Sequence, residues 1–338
     1  MRFTRPRPAL PALLIVAVAV GLAGCGDDSF DRASNGGELR VVTTVAPITS
    51  ITASIAGDRA IVEGLVPEGT SSHTFDPPPS AAKALSRADV VFVNGLKLEE
   101  PAKELAAANM RKDATLVEIG TTVLPESDYI YDFSFPKDEG KPNPHLWTDP
   151  TYAIKYAAVI RDALVKADSA NADYYRANYG SFESQAKALD AALRADQATI
   201  PGGRRELLTY HDAYAYFAKT YGWKVIGAIQ PKNFDDPTPK EVAALIDQVK
   251  AEQVPVIFGS EVFPSKVLAE IGQATGARYE DTLRDDDLPG KPGEAEHSWM
   301  GLMRYNYVTM IKGLGGTAPT LEGLNTAPKA PDTASYPQ

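Results

Sequence analysis

Hydrophobic positions between residues 39 and 120 follow two alternating patterns. Short runs rich in β-branched residues predict buried strands at 39–45 (LRVVTTV), 60–66 (AIVEGLV), 89–95 (DVVFVNG) and 116–120 (LVEIG). Between the first three runs, apolar residues recur at three- and four-residue spacing, which predicts helices at 48–57 and 80–88. This strand–helix–strand alternation is typical of parallel β/α units, in which helices cover the sheet that the strands form.

The alternation stops at Pro150, and residues 151–200 contain no strand-like run. Apolar and aromatic residues instead recur at helical spacing, as in Tyr156, Ile160 and Leu164. We expect two helices here, the second from about residue 171 to residue 196. A helix of about 25 residues rises roughly 38 Å, which is long enough to connect two lobes. It contains no proline and a single glycine, Gly180, which favours a rigid strut over a hinge.

Strand–helix alternation resumes after residue 200. Apolar runs predict strands at 207–210, 223–229 and 254–259, and periodic segments predict helices at 213–222, 237–253, 265–276 and 298–313. The predicted fold class is therefore α/β. It has a first β/α lobe over 39–150, a helical linker over 151–200 and a second β/α lobe over 201–316. We expect parallel sheets in both lobes and a binding cleft between them.

Both ends of the chain differ in composition from the two lobes. Residues 1–24 have an arginine-containing start and an apolar run of about 15 residues, the pattern of a secretory signal peptide. The sequence Leu-Ala-Gly-Cys that ends at Cys25 resembles a bacterial lipobox, which implies cleavage before Cys25 and lipid on its thiol. Residues 25–38 are small and polar and predict a flexible tether. Residues 317–338 are rich in Pro, Ala and Thr and predict a disordered tail.

Charge and cysteine content narrow the class of function. The chain has 44 acidic and 34 basic residues and a formal net charge of −10, and loss of residues 1–24 removes three arginines and no acidic residue. An acidic chain lacks the positive field that phosphate contacts need, so we expect no nucleic acid partner. Cys25 is the single cysteine, so the fold of the mature chain contains no intramolecular disulfide.

The histidines are the most informative candidate functional residues. Three of the four lie in separate segments, namely His73 in SSHTFDPPPS, His145 in NPHLWTDP and His211 in LTYHDAYAYF, and RYEDTLRDDD offers Asp281. These positions recur at intervals of about 70 residues, whereas the ligands of a local zinc knuckle come in closely spaced pairs. Histidine is the commonest metal ligand among neutral side chains. The spacing therefore predicts a metal site that the tertiary fold assembles, with two ligands from each lobe.

Longer stretches identify a family. GDRAIVEGLVPEGTSSHTF, ADVVFVNGLKLE, NPHLWTDP, LTYHDAYAYFAKTYG, DPTPKEVAALIDQVKAEQVPVIF and MGLMRYNYVTMIKGL occur in this order over nearly the whole mature chain. In them the chain resembles the substrate-binding lipoproteins of zinc- and manganese-type metal-ion ABC importers, which have a rigid helical linker. The resemblance implies a metal between the lobes, with one ligand in each of four motifs: His73, His145, His211 and Asp281. Relatives usually have proline before the first histidine, where this chain has Ser72.

The same resemblance implies where the protein works and with which partners. We expect a monomer that lipid on Cys25 holds at the outer face of a bacterial cell membrane. Its protein partner would be the ABC permease of the cognate metal importer. The resemblance implies a binding protein and not an enzyme. Some relatives are also reported to act in surface adhesion, and the sequence does not test that alternative.

The predicted donor set favours zinc as the bound metal. Three imidazoles and one carboxylate form a nitrogen-rich, four-coordinate set that zinc accepts, whereas manganese prefers oxygen ligands. Manganese-preferring members of the family often carry glutamate in the third motif, where this chain has His211. Many zinc-type relatives carry a histidine-rich loop between the first two ligands, and this chain has no such loop. Manganese or iron therefore stays as the alternative.

Other acidic and histidine residues near these motifs have lesser predicted roles. Glu261 directly follows a predicted strand, which indicates a group that orients a ligand imidazole. We expect Asp285–Asp287 to form a solvated loop and His297 to be either a surface residue or a residue at the start of a helix. A zinc-dependent hydrolase is a second class of function, but the helical His-Glu-x-x-His motif is absent from the sequence.

Overall fold

The computed structural model describes residues 38–230, 237–262 and 266–337. The predicted signal peptide, the lipidation site at Cys25 and residues 25–37 of the tether lie outside these ranges. Within the described ranges, no helix combines the length and the apolar character that crossing a membrane requires.

The first lobe is built on a four-stranded parallel sheet with the order β2-β1-β3-β4. Its strands are β1 (Leu39–Thr43), β2 (Ala60–Gly64), β3 (Val90–Val93) and β4 (Thr115–Glu118). Its helices are α1 (Ala46–Ala56), α2 (Pro79–Arg87), α3 (Glu100–Asn109) and α4 (Ile119–Val123). In the register of the sheet, Val41 of β1 lies opposite Val62 and Val90. The four predicted strands, α1 and α2 are confirmed, and α3 and α4 are additional helices.

Two packed helices, α5 (Pro150–Ala167) and α6 (Ala172–Asp196), form the linker. Asp149 caps α5, because its side chain accepts a hydrogen bond from the Thr151 amide at 2.8 Å and Pro150 occupies the first turn. The predicted long helix is confirmed to within one residue at its start. Fully buried apolar side chains on the two helices are Tyr156, Ile160 and Leu164 on α5 and Tyr175, Leu189 and Leu193 on α6.

The second lobe repeats the same architecture with a parallel sheet of order β6-β5-β7-β8. Its strands are β5 (Glu206–Thr209), β6 (Lys224–Ala228), β7 (Val256–Ser260) and β8 (Arg278–Leu283). Its helices are α7 (Ala215–Tyr221), α8 (Pro239–Glu252), α9 (Lys266–Thr275) and α10 (Trp299–Gly313). Two β/α lobes joined by a long helix agree with the predicted fold class. β8 was not predicted; it is an edge strand with a largely polar sequence, and the hydrophobic pattern therefore did not reveal it.

The hydrophobic core is continuous from the first lobe through the linker into one face of the second sheet. In the second lobe, neighbouring residues of one strand belong to different cores. Leu207 and Phe258 join the large core, whereas Leu208 and Ile257 join a smaller core with α8 and α9. This division follows from the two-residue period of a strand, which directs successive side chains to opposite faces of a sheet.

The C-terminal tail packs against the first lobe. After α11 (Pro319–Glu322) the chain is extended, and Ser335 forms a parallel bridge with Glu63 of β2. The Ser335 amide donates to the Val62 carbonyl at 2.9 Å, and the Gly64 amide donates to the Ser335 carbonyl at 3.0 Å. The predicted disorder of residues 317–338 is therefore wrong for 317–337. β2 is the edge strand of its sheet, and its backbone groups give this Pro-rich segment hydrogen-bond partners that composition alone does not reveal.

Candidate metal centre

The predicted site residues lie where the strands of the two sheets end. His211 and Glu261 come just after the carboxyl ends of β5 and β7, and Asp285 comes two residues after β8. In the first lobe, His73 lies in the loop between β2 and α2, and His145 lies just before α5. Ligands of open parallel sheets bind outside the carboxyl ends of the strands. Both lobes therefore direct candidate ligands into one cleft.

The three predicted histidines come together with converging ring nitrogens. His145 Nε2 lies 3.1 Å from His73 Nε2 and 3.1 Å from His211 Nε2. These three residues form a cluster whose candidate ligand atoms all lie within 4.8 Å of one another. Nitrogens that bind one tetrahedral zinc ion at about 2.0–2.1 Å lie roughly 3.3 Å apart. The spacing of the three nitrogens therefore fits a shared metal ion.

A hydrogen bond to Asn143 fixes the orientation of the His145 ring. Asn143 Oδ1 lies 2.9 Å from His145 Nδ1, and the Asn143 amide nitrogen donates to Asp132 Oδ2 at 2.9 Å and to the Asp212 carbonyl at 2.8 Å. Because Oδ1 can only accept, Nδ1 must carry the proton and donate it. The lone pair of the neutral ring is then on Nε2, which faces the other two histidines. Asn143 thus prepares His145 as a ligand.

Gln230 has the same relation to His211 in the second lobe. His211 Nδ1 lies 2.7 Å from Gln230 Oε1, so Nδ1 donates and the Nε2 lone pair faces the centre. His73 is the one histidine of the three with partial exposure, and the ring of Phe135 lies against it at a centroid distance of 5.5 Å. The site is therefore closed around His145 and His211 and accessible to solvent beside His73.

A fourth donor comes from Asp285. Its Oδ2 lies 3.5 Å from His211 Nε2 and 3.8 Å from His145 Nε2, and it has no hydrogen-bond partner among the described residues. Only about 3% of Asp285 is exposed. A buried carboxylate oxygen without a partner is costly, and a cation held by the three imidazoles would satisfy it. Asp285 is therefore the candidate oxygen ligand beside the cluster of three histidines.

One expectation about residues 281–287 is overturned, and the other stays a prediction. Asp285–Asp287 are buried, with exposed fractions of 3%, 3% and 6%, so the prediction of a solvated loop is wrong. Asp281, the predicted fourth ligand, is a residue of strand β8, and its side chain lies outside the described part of the structure. Among the described side chains, the carboxylate that lies beside the histidines is that of Asp285, which follows the end of β8 at Leu283.

Glu261 contacts the backbone of this acidic turn. Its Oε1 accepts hydrogen bonds from the amides of Asp285, Asp286 and Asp287 at 2.7, 3.0 and 3.2 Å. The predicted role of Glu261 was to orient a ligand imidazole. The hydrogen bonds of Glu261 Oε1 are instead with the backbone of the segment that carries the candidate carboxylate ligand. Three converging amides form a concave anion-binding arrangement, which keeps the turn at the end of β7.

Burial sets the charge of the candidate ligands. It lowers the pKa of His211 to about 4 and holds the pKa values of His73 and His145 well below their usual range. Neutral imidazoles can bind a metal without first losing a proton. Burial, followed by repulsion from Glu261, Asp286 and Asp287, raises the pKa of Asp285 well above its usual range. A divalent cation at the site would offset this concentration of negative charge.

The structure adds residues that the sequence patterns did not identify, chiefly Asn143, Gln230, Asp132 and Asp212. Asn143 precedes His145 by two residues, so its motif offered a local signal. Gln230 is 19 residues from His211 and offered none. Of the two alternatives for His297, the structure shows the residue at the start of a helix: it comes just before α10 and is buried against Tyr336 of the tail. It is also outside the histidine cluster.

Sequence comparisons place the chain among metal-binding proteins of transporters. The sequence model of the family described as "ZnuA: Zinc-uptake complex component A periplasmic" matches residues 41–313. The manganese-binding lipoprotein MntA of Halalkalibacterium halodurans is 29% identical over 307 residues, which are 90% of this chain and 97% of that protein. The iron-binding protein YfeA of Yersinia pestis is 32% identical over 279 residues, 82% of this chain and 87% of that protein.

Solved structures share the fold. The periplasmic zinc-binding protein TroA of Treponema pallidum superposes with a TM-score of 0.74 at 24% identity, over 82% of this chain and 99% of that chain. A manganese-bound periplasmic metal-binding protein of Candidatus Liberibacter asiaticus superposes with a TM-score of 0.72, also at 24% identity, over 82% of this chain and all of that chain. Two lobes joined by a long helix are therefore the architecture of known metal-binding proteins.

Proposed function

The chain belongs to the family of periplasmic zinc-uptake components, substrate-binding proteins of metal ABC transporters and not enzymes, and from that premise we propose that its substrate is zinc. In the proposed site, His73, His145, His211 and Asp285 bind the ion. The proposal depends on one observation: His145 Nε2 lies 3.1 Å from both His73 Nε2 and His211 Nε2, beside the unpartnered Oδ2 of Asp285.

The donor chemistry supports zinc over the alternatives. Imidazole nitrogen suits zinc, while manganese prefers oxygen ligands and commonly a higher coordination number. The hydrogen bonds from Asn143 and Gln230 fix both ring orientations for four-coordinate binding. Manganese or iron is the second candidate, because relatives of similar length are named for these metals. A second oxygen ligand, from Asp281 or the other oxygen of Asp285, would be the feature that favours manganese.

We further propose that the loaded protein delivers its ion to an ABC permease from the outer face of a bacterial membrane. Lipid on Cys25 would hold the monomer there, with residues 25–38 as the tether. The support is the Leu-Ala-Gly-Cys sequence and the names of relatives, several of which are called lipoproteins. Metabolic labelling with a fatty acid tests this, since Cys25→Ala should abolish incorporation. Unlabelled, soluble wild-type protein would contradict the anchor.

The deciding experiment measures metal content and affinity. Mature protein, purified without added metal and analysed by mass spectrometry, should hold one equivalent of zinc, and a chelator competition should rank zinc above manganese and iron. His145→Ala should lose the bound zinc, because it removes the central nitrogen of the cluster. His297→Gln is the matched control, since it removes a histidine outside the cluster. Tight zinc binding by His145→Ala would refute the site.

A further inference from the structure

Residues Asp285–Asp287, here called the acidic turn, contact both lobes. The last two side chains of the turn cross the cleft to the loop that carries His73. Asp286 Oδ2 accepts a hydrogen bond from the Ser72 amide at 2.9 Å. Asp287 accepts one from the Gly69 amide, with Oδ1 and Oδ2 at 3.1 and 3.0 Å. The contacts join residues more than 200 positions apart in the sequence, and both aspartates are buried.

We propose that Asp286 and Asp287 form a latch. The latch holds the loop that carries His73 close to Asp285, the proposed fourth ligand. This rests on the proposed function, because the latch acts on metal retention. The Ser72 amide donates to Asp286, so this hydrogen bond joins the residue just before His73 to the residue just after Asp285. Movement of either ligand out of the site must therefore strain or break this bond.

The turn is anchored firmly enough for this role. Glu261 holds its three amides at the end of β7, and the Trp147 indole nitrogen donates to the Asp285 carbonyl at 3.0 Å. Trp147 follows His145 by two residues and is fully buried. The segment from Asp285 to Asp287 is thus tied at its backbone to both sides of the cleft. Its side chains are left to engage the ligand loop.

The loop between Gly64 and Pro79, which carries His73, depends on contacts with other segments for its position. It contains no regular helix or strand. Gly69 has a φ of +76°, a conformation that favours glycine, and it directs its amide to the carboxylate of Asp287. Hydrogen bonds from amides to a carboxylate are charge-assisted and stronger than neutral ones. Two of them restrain a loop that otherwise leaves His73 partly exposed.

We expect the latch to affect the rate at which the metal is released more than which metal is bound. Asp286 and Asp287 are not among the four proposed ligands, and their carboxylates accept backbone hydrogen bonds, so they act as positioning residues for His73 and Asp285. Their loss should raise the dissociation rate, because ligand loops open more often, with a smaller effect on the association rate. Zinc-loaded wild type mixed with excess chelator gives this rate directly by stopped flow.

We expect Asp287→Ala and Asp286→Ala each to release zinc about tenfold faster than wild type, the effect of losing roughly one charge-assisted hydrogen bond. Asp287→Asn and Asp286→Asn keep an acceptor oxygen and should stay within about threefold of wild type. Glu68→Gln is the charge control: it removes an exposed carboxylate near Asp287 without removing a latch bond, and should not change the rate.

Hydrogen exchange supplies a second measure that loss of stability alone would not imitate. The Gly69 and Ser72 amides are the latch donors, so peptides covering 67–74 should be protected in zinc-loaded wild type and exchange faster in the alanine variants. If an alanine variant does not fold, wild type decides, because zinc must increase protection of 67–74. Unchanged release and exchange in the alanine variants, or asparagine variants as fast as alanine ones, overturn the latch. Wild type that holds no zinc overturns the proposed function as well.

Discussion

The two lobes have the same sheet order but different cores. Both faces of the first sheet belong to one core, since neighbouring residues such as Val90 and Val91 lie in the same cluster, which also includes the linker helices. In the second lobe only one face joins that core, and the other face packs with α8 and α9 in a smaller one. The first lobe and the linker therefore form one body, and the outer half of the second lobe is attached to it through a single sheet.

This difference has a consequence for the site. His145 lies just before α5 in the continuous core, and its ring is fixed by Asn143. The second lobe contributes His211 and Asp285 from the loops after β5 and β8, and its support for Asp285 comes through Glu261. Local opening free energies in proteins vary with the packing of each unit. We therefore expect the first lobe to supply a preformed half of the site and the second lobe the half that adjusts.

The largest expected effect distinguishes the two candidate carboxylates of the second lobe. Asp285→Ala should weaken zinc binding by more than about 100-fold, because it removes a direct ligand, whereas loss of an outer hydrogen bond costs about 10–100-fold. Asp281→Ala should change affinity little, because Asp281 is not a ligand in the proposed site. Competitive titration of both variants measures this. A large loss in Asp281→Ala with normal binding by Asp285→Ala would restore Asp281 as the ligand.

The burial of the acidic turn could not be predicted from local sequence patterns. A run of three aspartates is normally solvated. Nothing nearby in the sequence indicates that the amides of Gly69 and Ser72 donate hydrogen bonds to two of these carboxylates. Likewise the Pro-rich tail is ordered by an edge strand that lies more than 270 residues before it. In both cases the deciding partner is distant in sequence, so a local pattern cannot reveal it.

Other features were predictable because local signals determine them. The long helix α6 follows from helical periodicity without an internal proline, and the parallel strands follow from short β-branched runs. The three histidines were identified by their scarcity and their separate motifs, and the structure brings all three together. β8 was missed because an edge strand needs little apolar sequence.

The next largest effect is expected from removing the side chains that orient the two buried imidazoles. Asn143→Ala in the first lobe should lower zinc affinity by about 10–100-fold, and Gln230→Ala in the second lobe should cost less, within about tenfold. Asn143 bonds both the ring and the backbone amide of His145 and also reaches the Asp212 carbonyl across the cleft. The described contact of Gln230 with His211 is to the ring nitrogen Nδ1. Calorimetric titration of both variants tests the order.

Asn143→Asp is the informative control, since it keeps the acceptor for the His145 ring. It should bind zinc more tightly than Asn143→Ala. Should Gln230→Ala prove the more damaging change, the second lobe would be the preformed half, and the proposed difference between the lobes would be reversed.

A smaller effect is expected in the pH dependence of stability without metal. Burial raises the pKa values of Glu261, Asp286 and Asp287 to about 7, in the folded state. A carboxyl group with a raised folded pKa stabilises the fold fully at low pH and loses that contribution as pH rises through about 7. The three buried histidines act oppositely, because burial lowers their pKa values, that of His211 to about 4, so their contributions are lost only as pH falls below about 6.5. Chelator-treated protein should therefore melt at a higher temperature near pH 6 than near pH 8.

The first lobe offers the control for this measurement. Glu99 is buried there, accepts hydrogen bonds from Thr44 and the Asn94 amide, and has a pKa raised to about 7. Glu99→Gln removes one such group, whereas Glu261→Gln acts within the cluster of the second lobe and should flatten the profile more. Zinc should stabilise most at pH 8, where the carboxylates carry full charge. A melting temperature that falls steadily from pH 8 to pH 6 would show that the carboxyl cluster does not dominate.

The smallest expected effect tests the helix that joins the two lobes. Gly180 lies within α6, and a Cβ at this position would meet no other atom within 4 Å. Glycine inside a helix costs roughly 0.5–1 kcal/mol relative to alanine, so Gly180→Ala should raise the melting temperature by about 2 °C. If α6 is a strut, zinc affinity and capture rate stay unchanged, because no backbone dihedral of the helix changes when metal binds. If closure bends α6 at Gly180, the same variant would capture zinc more slowly although it melts later. The adjustment between the lobes would then come from the linker and not from the outer half of the second lobe.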